Sequence, residues 1–99
     1  MSQQSETKFK IKFMKKLALI PNSWWVKIQQ VVIRGTPDII GCVNGKFIAL
    51  ELKKDDKAHI DALQSHNLMR IHYTAKGHAH VIFPSNADEI LQLLKEISK

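Results

Sequence analysis

The chain has a single cysteine, Cys42, so no intrachain disulfide can form, and a reducing cytosol suits it. Cys42 lies within an apolar stretch and is expected to be a small buried hydrophobe. No apolar run approaches the roughly 20 residues needed to span a bilayer. The opening residues, MSQQSETKFK, lack the apolar core of a signal peptide. These absences set the expectation of a cytoplasmic protein with no membrane partner. There is no internal repeat, low-complexity tract or long linker, so one domain over residues 1–99 is expected. Five histidines are present, yet one cysteine cannot complete a Cys/His cluster of zinc-finger spacing. Acids are also few, nine against fifteen lysines and arginines.

What is present is enough apolar residue, 44%, to build a core. The formal charge of +6 suits a polyanionic partner, most economically nucleic acid, although a solvated lysine surface would give the same balance. Within a face that meets phosphate, any acid would repel the ligand unless a cation intervened.

In Glu6 to Leu17, Phe9, Ile11 and Phe13 alternate as in a strand, whereas Phe9, Phe13, Met14 and Leu17 mark one helical face. Its length, lysine content and freedom from Gly and Pro favour helix. Pro21-Asn22-Ser23 break the helix. Trp24 to Val32 reads as a strand rich in aromatic and branched residues. Trp24 and Trp25 then face opposite sides, one toward the core and the other toward a dimer interface, a base or a covering helix. Ile39–Val43 and Lys46–Leu52 flank Asn44-Gly45, the strongest short-range hairpin signal. Asp61 is placed to cap a helix running to about Ala75, and Lys76-Gly77 reads as its stop with Gly in the left-handed position. His78 to Phe83 is a short strand, and Ala87 to Ser98 an amphipathic helix through Ile90, Leu91, Leu94 and Ile97. The expected order is α-β-β-β-α-β-α, an α/β fold with helices packed on a sheet.

The hairpin gathers charges that are distant in sequence. Asp38 opens its first strand after Pro37, with Gly35 freeing the loop before it. Glu51 and Lys53 close the second strand on one face, with Leu52 on the other. Two carboxylates beside an ammonium can serve a divalent metal and a hydrolytic water. On spacing alone, Glu51 and Lys53 read equally well as a surface ion pair worth under about 1 kcal/mol.

Gly35-Thr36-Pro37-Asp38, an apolar strand, and Glu51-Leu52-Lys53 together resemble the signature of the PD-(D/E)xK nuclease superfamily. Within it, the chain is most similar to the small stand-alone VRR-NUC-type nucleases of phages and bacteria. The resemblance extends to an acid-bearing first helix, Ser5-Glu6-Thr7-Lys8-Phe9, to Gln64 after the catalytic strand, and to Gly77 before the last strand. It departs at His59-Ile60-Asp61-Ala62-Leu63, where relatives often carry an Asn or Pro before the glutamine.

The resemblance implies a restriction-endonuclease-like core with a mixed four-stranded sheet flanked by helices. It also implies site roles. Asp38, Glu51 and the backbone carbonyl of Leu52 would hold Mg²⁺ or Mn²⁺, with Glu6 near the metal from the first helix. Lys53 would orient the water or stabilise charge on the phosphate, and Gln64 would support the site. Arg34, Lys54 and Lys57 are candidate phosphate contacts, and Lys8, Lys10, Lys12, Lys15 and Lys16 are weaker ones. The expected activity is metal-dependent hydrolysis of DNA phosphodiesters, on branched DNA such as Holliday junctions, by a homodimer. The alternative is a nucleic-acid-binding module of the same fold that has lost catalysis, against which the intact Asp38, Glu51 and Lys53 argue.

Overall fold

The computed structural model describes residues 2–29 and 34–99, with side chains from residue 8 onward. Helix α1 (Ser2–Leu17) is followed by strands β1 (Ser23–Lys27), β2 (Ile39–Val43) and β3 (Lys46–Leu52). Helix α2 (Ala62–Met69), strand β4 (His78–Ile82) and helix α3 (Ala87–Ile97) complete the described order. The sheet runs β1-β2-β3-β4, with β1, β2 and β3 antiparallel and β4 parallel to β3. A parallel neighbour needs a crossover, and α2 supplies it.

The hairpin forms where the sequence placed it. Asn44 and Gly45 both take positive φ, 50° and 83°, as a two-residue turn of the twist-matching kind requires. Asn44 also donates from its side chain to the Ile97 carbonyl at 3.3 Å, and Asn22 donates to Ser98 O at 3.0 Å. The loops at this end of the sheet are thereby tied to the last helix.

One face of the sheet carries the core. Ile39 and Val43 of β2, Ile48, Leu50 and Leu52 of β3, and Ile82 of β4 pack with Phe13 and Leu17 of α1 and Ile90, Leu91 and Leu94 of α3. Strand β3 is buried on both faces from Ile48 to Leu52, as expected of a strand inside a mixed sheet. Gly41 is needed on the core face because Trp25 lies over it. A Cβ there would fall inside contact of the Trp25 ring and the Trp24 carbonyl.

Several expectations are corrected. Helix α1 starts at Ser2 rather than Glu6. The strand expected over Trp24–Val32 is seen as Ser23–Lys27, while residues 30–33 lie outside the described residues. The helix expected to reach about Ala75 does so, but its stretch after Met69 is a π-helical turn, Arg70–Thr74. There Ala75 N–H reaches five residues back to Arg70 O at 2.9 Å. Its left-handed terminal residue is Lys76, φ 64°, and not Gly77. Gly77 is small for another reason: a Cβ on it would lie 3.1–3.2 Å from Ile71 and Phe47. Cys42 is exposed, because the register pairs it with Trp24 and Phe47 on the face away from the core.

Substituting Gly41 with alanine is therefore expected to lower stability by about 1–3 kcal/mol, through overpacking against Trp25. Urea unfolding followed by tryptophan fluorescence measures this, and an unchanged midpoint would remove Trp25 as the reason for the glycine.

Candidate active site

Register brings the two acids together. Ile39 pairs with Leu50 in the antiparallel β2–β3 ladder, so one step outward Asp38 stands level with Glu51. The chain approaching Asp38 is held in place. Pro37 is buried, and Gly35 has φ 81°, where a Cβ would lie 2.8 Å from Asn67 Nδ2 and 2.9 Å from Leu63 Cγ. Asn67 of α2 donates to the carbonyls of Gly35 (3.1 Å) and Arg34 (3.3 Å). The loop and α2 are thus clipped together by a residue that sequence reasoning missed. The available signal was its spacing, since Asn67 lies three residues after Gln64 on the same helical face.

Glu51 is only 4% exposed. Its Oε2 accepts from Gln64 Nε2 at 2.8 Å and lies 3.3 Å from Lys53 Nζ. Gln64 Oε1 in turn accepts from Lys53 Nζ at 3.3 Å. The glutamine thus joins both charged groups in one closed network. Helix capping fixes its position: Gln64 N–H donates to Asp61 Oδ1 at 2.8 Å, and Gln64 Oε1 accepts weakly from Asp61 N–H at 3.4 Å. Asp61 and Gln64 form a capping box, which sets the start of α2 and aims Gln64 at the sheet. Glu51 is buried and the Lys53 side chain only 17% exposed, so the pair differs from a solvated surface ion pair.

Asp38 Oδ2 accepts from the Leu52 backbone N–H at 2.8 Å. In an extended strand a residue's N–H and C=O share an edge, so the Leu52 carbonyl also faces the Asp38 side. Lys10 of α1 brings its Nζ within 3.6 Å of Asp38 Oδ1. Sequence reasoning had grouped Lys10 with outward-facing phosphate contacts, whereas its side chain is largely buried beside an acid.

The electrostatics are those of a carboxylate held under strain. Burial pushes the Glu51 carboxyl above its ordinary value, and the neighbouring Asp38 pushes it further, outweighing Lys53 and Lys10. Its Oε1 is buried and accepts no hydrogen bond from the described residues. A buried carboxylate oxygen without a donor is rare and costly, and a cation is one group that satisfies it. Two carboxylates and a carbonyl are hard oxygen donors, and Mg²⁺ commonly takes one or two carboxylates and completes its shell with water and phosphate. The residues present therefore fit such an ion. Among the described residues no group of three or more His, Cys, Asp or Glu side chains is arranged to hold a metal, so the protein's share would be this small donor set.

The remaining expected site residues divide. Arg34 is exposed on the clipped loop, Lys54 follows Lys53 directly, and Lys57 is exposed in the loop after β3. That loop is anchored by Asp56, whose Oδ1 accepts from Ser85 N–H at 2.9 Å. The structure does not bring these three into the Glu51 network. Glu6 lies in α1, and its side chain is outside the described residues.

With the geometry in view, a comparison of structures finds the same fold in a solved structure described as a VRR_NUC domain. The TM-score is 0.76 over 89% of this chain and 95% of that one, at 17% sequence identity. Comparison of the sequence with known families and with characterised proteins finds no match. The class defined here is thus a fold, a mixed four-stranded sheet flanked by helices with two acids at the open end of a hairpin.

A raised carboxyl pKa means that Glu51 favours folding while protonated. That contribution is full below the ordinary value of 4.5 and is lost as pH rises through the raised value. Glu51→Gln is therefore expected to stabilise the metal-free protein at neutral pH, with the gain vanishing below the ordinary carboxyl range. Thermal melts of both proteins across pH in EDTA read this directly, and a variant less stable at every pH would show that Glu51 carries no strain.

Proposed function

We propose that this chain is a metal-dependent deoxyribonuclease of the PD-(D/E)xK type, with residues 1–99 forming one VRR-NUC-like domain. The observation that carries the reading is the Glu51 carboxylate, buried at the end of β3 with one oxygen unpartnered and Asp38 level with it. A purely structural site has no use for an uncompensated buried acid beside a second acid. The likeness to a VRR_NUC domain supports the same reading at the level of fold.

Asp38, Glu51 and the Leu52 carbonyl would hold Mg²⁺ or Mn²⁺, with Glu6 a further candidate ligand. Bound there, the ion would polarise a phosphate and ease deprotonation of water. Lys53 is held by Glu51 and Gln64, so its ammonium is oriented in advance toward charge that builds on the phosphate. Gln64 keeps both partners in place and has an amide to offer water or phosphate. Arg34, Lys54 and Lys57 would contact the DNA backbone, setting its position without reading sequence. Lys10 stabilises Asp38 and would yield its place as a cation enters.

The substrate proposed is branched DNA, such as a Holliday junction, cut by a homodimer that presents two centres. The dimer has a candidate surface. Trp24, Cys42 and Phe47 are level across β1, β2 and β3 on the face away from the core, with Trp24 66% and Phe47 45% exposed. A row of exposed apolar side chains of this kind suits a protein partner. The exposed Cys42 thiol also suits the reducing cytoplasm proposed as its location. Among the described residues no helix is long and apolar enough to cross a membrane.

Labelled four-way junction, flap and linear duplex, each incubated with Mg²⁺, Mn²⁺ or EDTA, test the activity. Wild type is expected to cut only with metal, and Asp38→Ala, Glu51→Ala and Lys53→Ala each to lose at least about a hundredfold in rate, the scale of a lost transition-state contact. Equal cutting by wild type and Asp38→Ala would refute the assignment, and binding without cutting would favour an inactive module. For the dimer, sedimentation of wild type is expected to give a two-chain species that Trp24→Arg dissociates. A monomeric wild type at micromolar concentration would rule it out.

A further inference from the structure

Three buried side-chain polar atoms lack a partner among the described residues: Glu51 Oε1, His72 Nδ1 and His80 Nε2. The first belongs to the acid centre. The other two belong to residues lining a single cleft of about 270 Å³, between α2, the π-helical turn and β4. We propose that this cleft receives one nucleobase, unstacked from the DNA next to the phosphate held at the acid centre. The proposal rests on the nuclease reading and adds a recognition subsite to it.

Position comes first. Val81, which lines the cleft, is level with Glu51 in the parallel β3–β4 ladder, so the two side chains share a sheet face one strand apart. Neighbouring strands are about 4.8 Å apart. Ser65, another lining residue, directly follows Gln64. A nucleotide whose phosphate met Glu51 and Lys53 would have its own base within reach of this cleft.

Size and chemistry agree. Small-molecule pockets run from about 300 to 1,000 Å³, so this one suits a single ring system rather than an extended ligand. Its walls are apolar at Ile60, Leu68, Ala79 and Val81. The His72 ring meets Tyr73 edge-on, with centroids 4.8 Å apart, and His80 at 6.3 Å. Tyr73, 66% exposed, forms a rim on which a base can stack. Burial lowers the pKa of His80, and the nearby His72 and His78 lower it further, so at neutral pH its imidazole offers one donor and one acceptor. A heterocycle edge pairs with such nitrogens.

The cleft also bears on substrate choice. Extruding a paired base costs a few kcal/mol, and least for a nucleotide already unpaired. A nuclease that must seat one base beside the cut would favour branch points and flaps over intact duplex, with no need to read sequence.

The test is a binding cycle with Ca²⁺, a hard cation for the same oxygen donors, on a flap substrate with an abasic residue walked one nucleotide at a time across the branch point. Wild type is expected to lose about tenfold in affinity at one position, the scale of a lost stacked base. Tyr73→Ala and Ala79→Phe, the second filling the cleft while keeping its histidines, are expected to bind the intact flap about tenfold more weakly. Both should be indifferent to the abasic position, with thermal melts confirming that they fold. A wild type insensitive at every position, or both variants retaining the wild-type abasic penalty, overturns the cleft. Cleavage with Mg²⁺ is scored separately. The binding coupling without cleavage keeps the cleft and sinks the nuclease, cleavage without coupling sinks the cleft alone, and absence of DNA binding sinks both.

Discussion

The constraint on which the rest depends is the burial of one ionisable group, Glu51, in a strand covered on both faces. A carboxylate taken out of water must be compensated. Here the compensation comes from Lys53, just past the end of β3, and from Gln64 of α2. The compensation is also incomplete, because one oxygen is left over and the second acid adds repulsion. An arrangement that costs stability yet is closely braced is what a preorganised centre looks like before its ligand arrives.

The bracing uses ordinary local rules for a second purpose. The capping box that starts α2 also aims Gln64 at Glu51 and Lys53. The Asn-Gly turn that closes the hairpin also fixes the register that sets Asp38 level with Glu51. Asn67 holds the Gly35 loop, so the approach to Asp38 and the helix carrying Gln64 behave as one unit. Moving any of these elements would displace a charged group by a fraction of an ångström to several, enough to alter the network around a buried acid.

Much of this was legible in the sequence, and the failures have physical causes. The hairpin, the Asp61 cap and the last amphipathic helix each rest on local signals, and the structure has all three. The element order followed from such signals and the mixed sheet from the family resemblance, and the observed topology and structural likeness agree with both. The helix after Asp61 does end at about Ala75, but no residue pattern announces that its last turn is π-helical, and Lys76 took a backbone conformation usually left to glycine. Cys42 was misread because apolar neighbours in a strand do not reveal which face is covered. The burial of Glu51 was equally hidden: spacing gives the face shared with Lys53, but only the packing of α2 decides whether that face is wet. Lys10 reaches Asp38 across 28 residues, a contact that no local pattern encodes.

The central claim is that the Asp38–Glu51 pair is a divalent-cation site whose strain the ion relieves. Calorimetric titration of the protein with Mn²⁺ tests it without depending on any substrate. Saturable binding to wild type, abolished by Asp38→Asn and by Glu51→Gln, is the predicted result. Absence of binding in wild type, or binding left undiminished by Asp38→Asn, would contradict it.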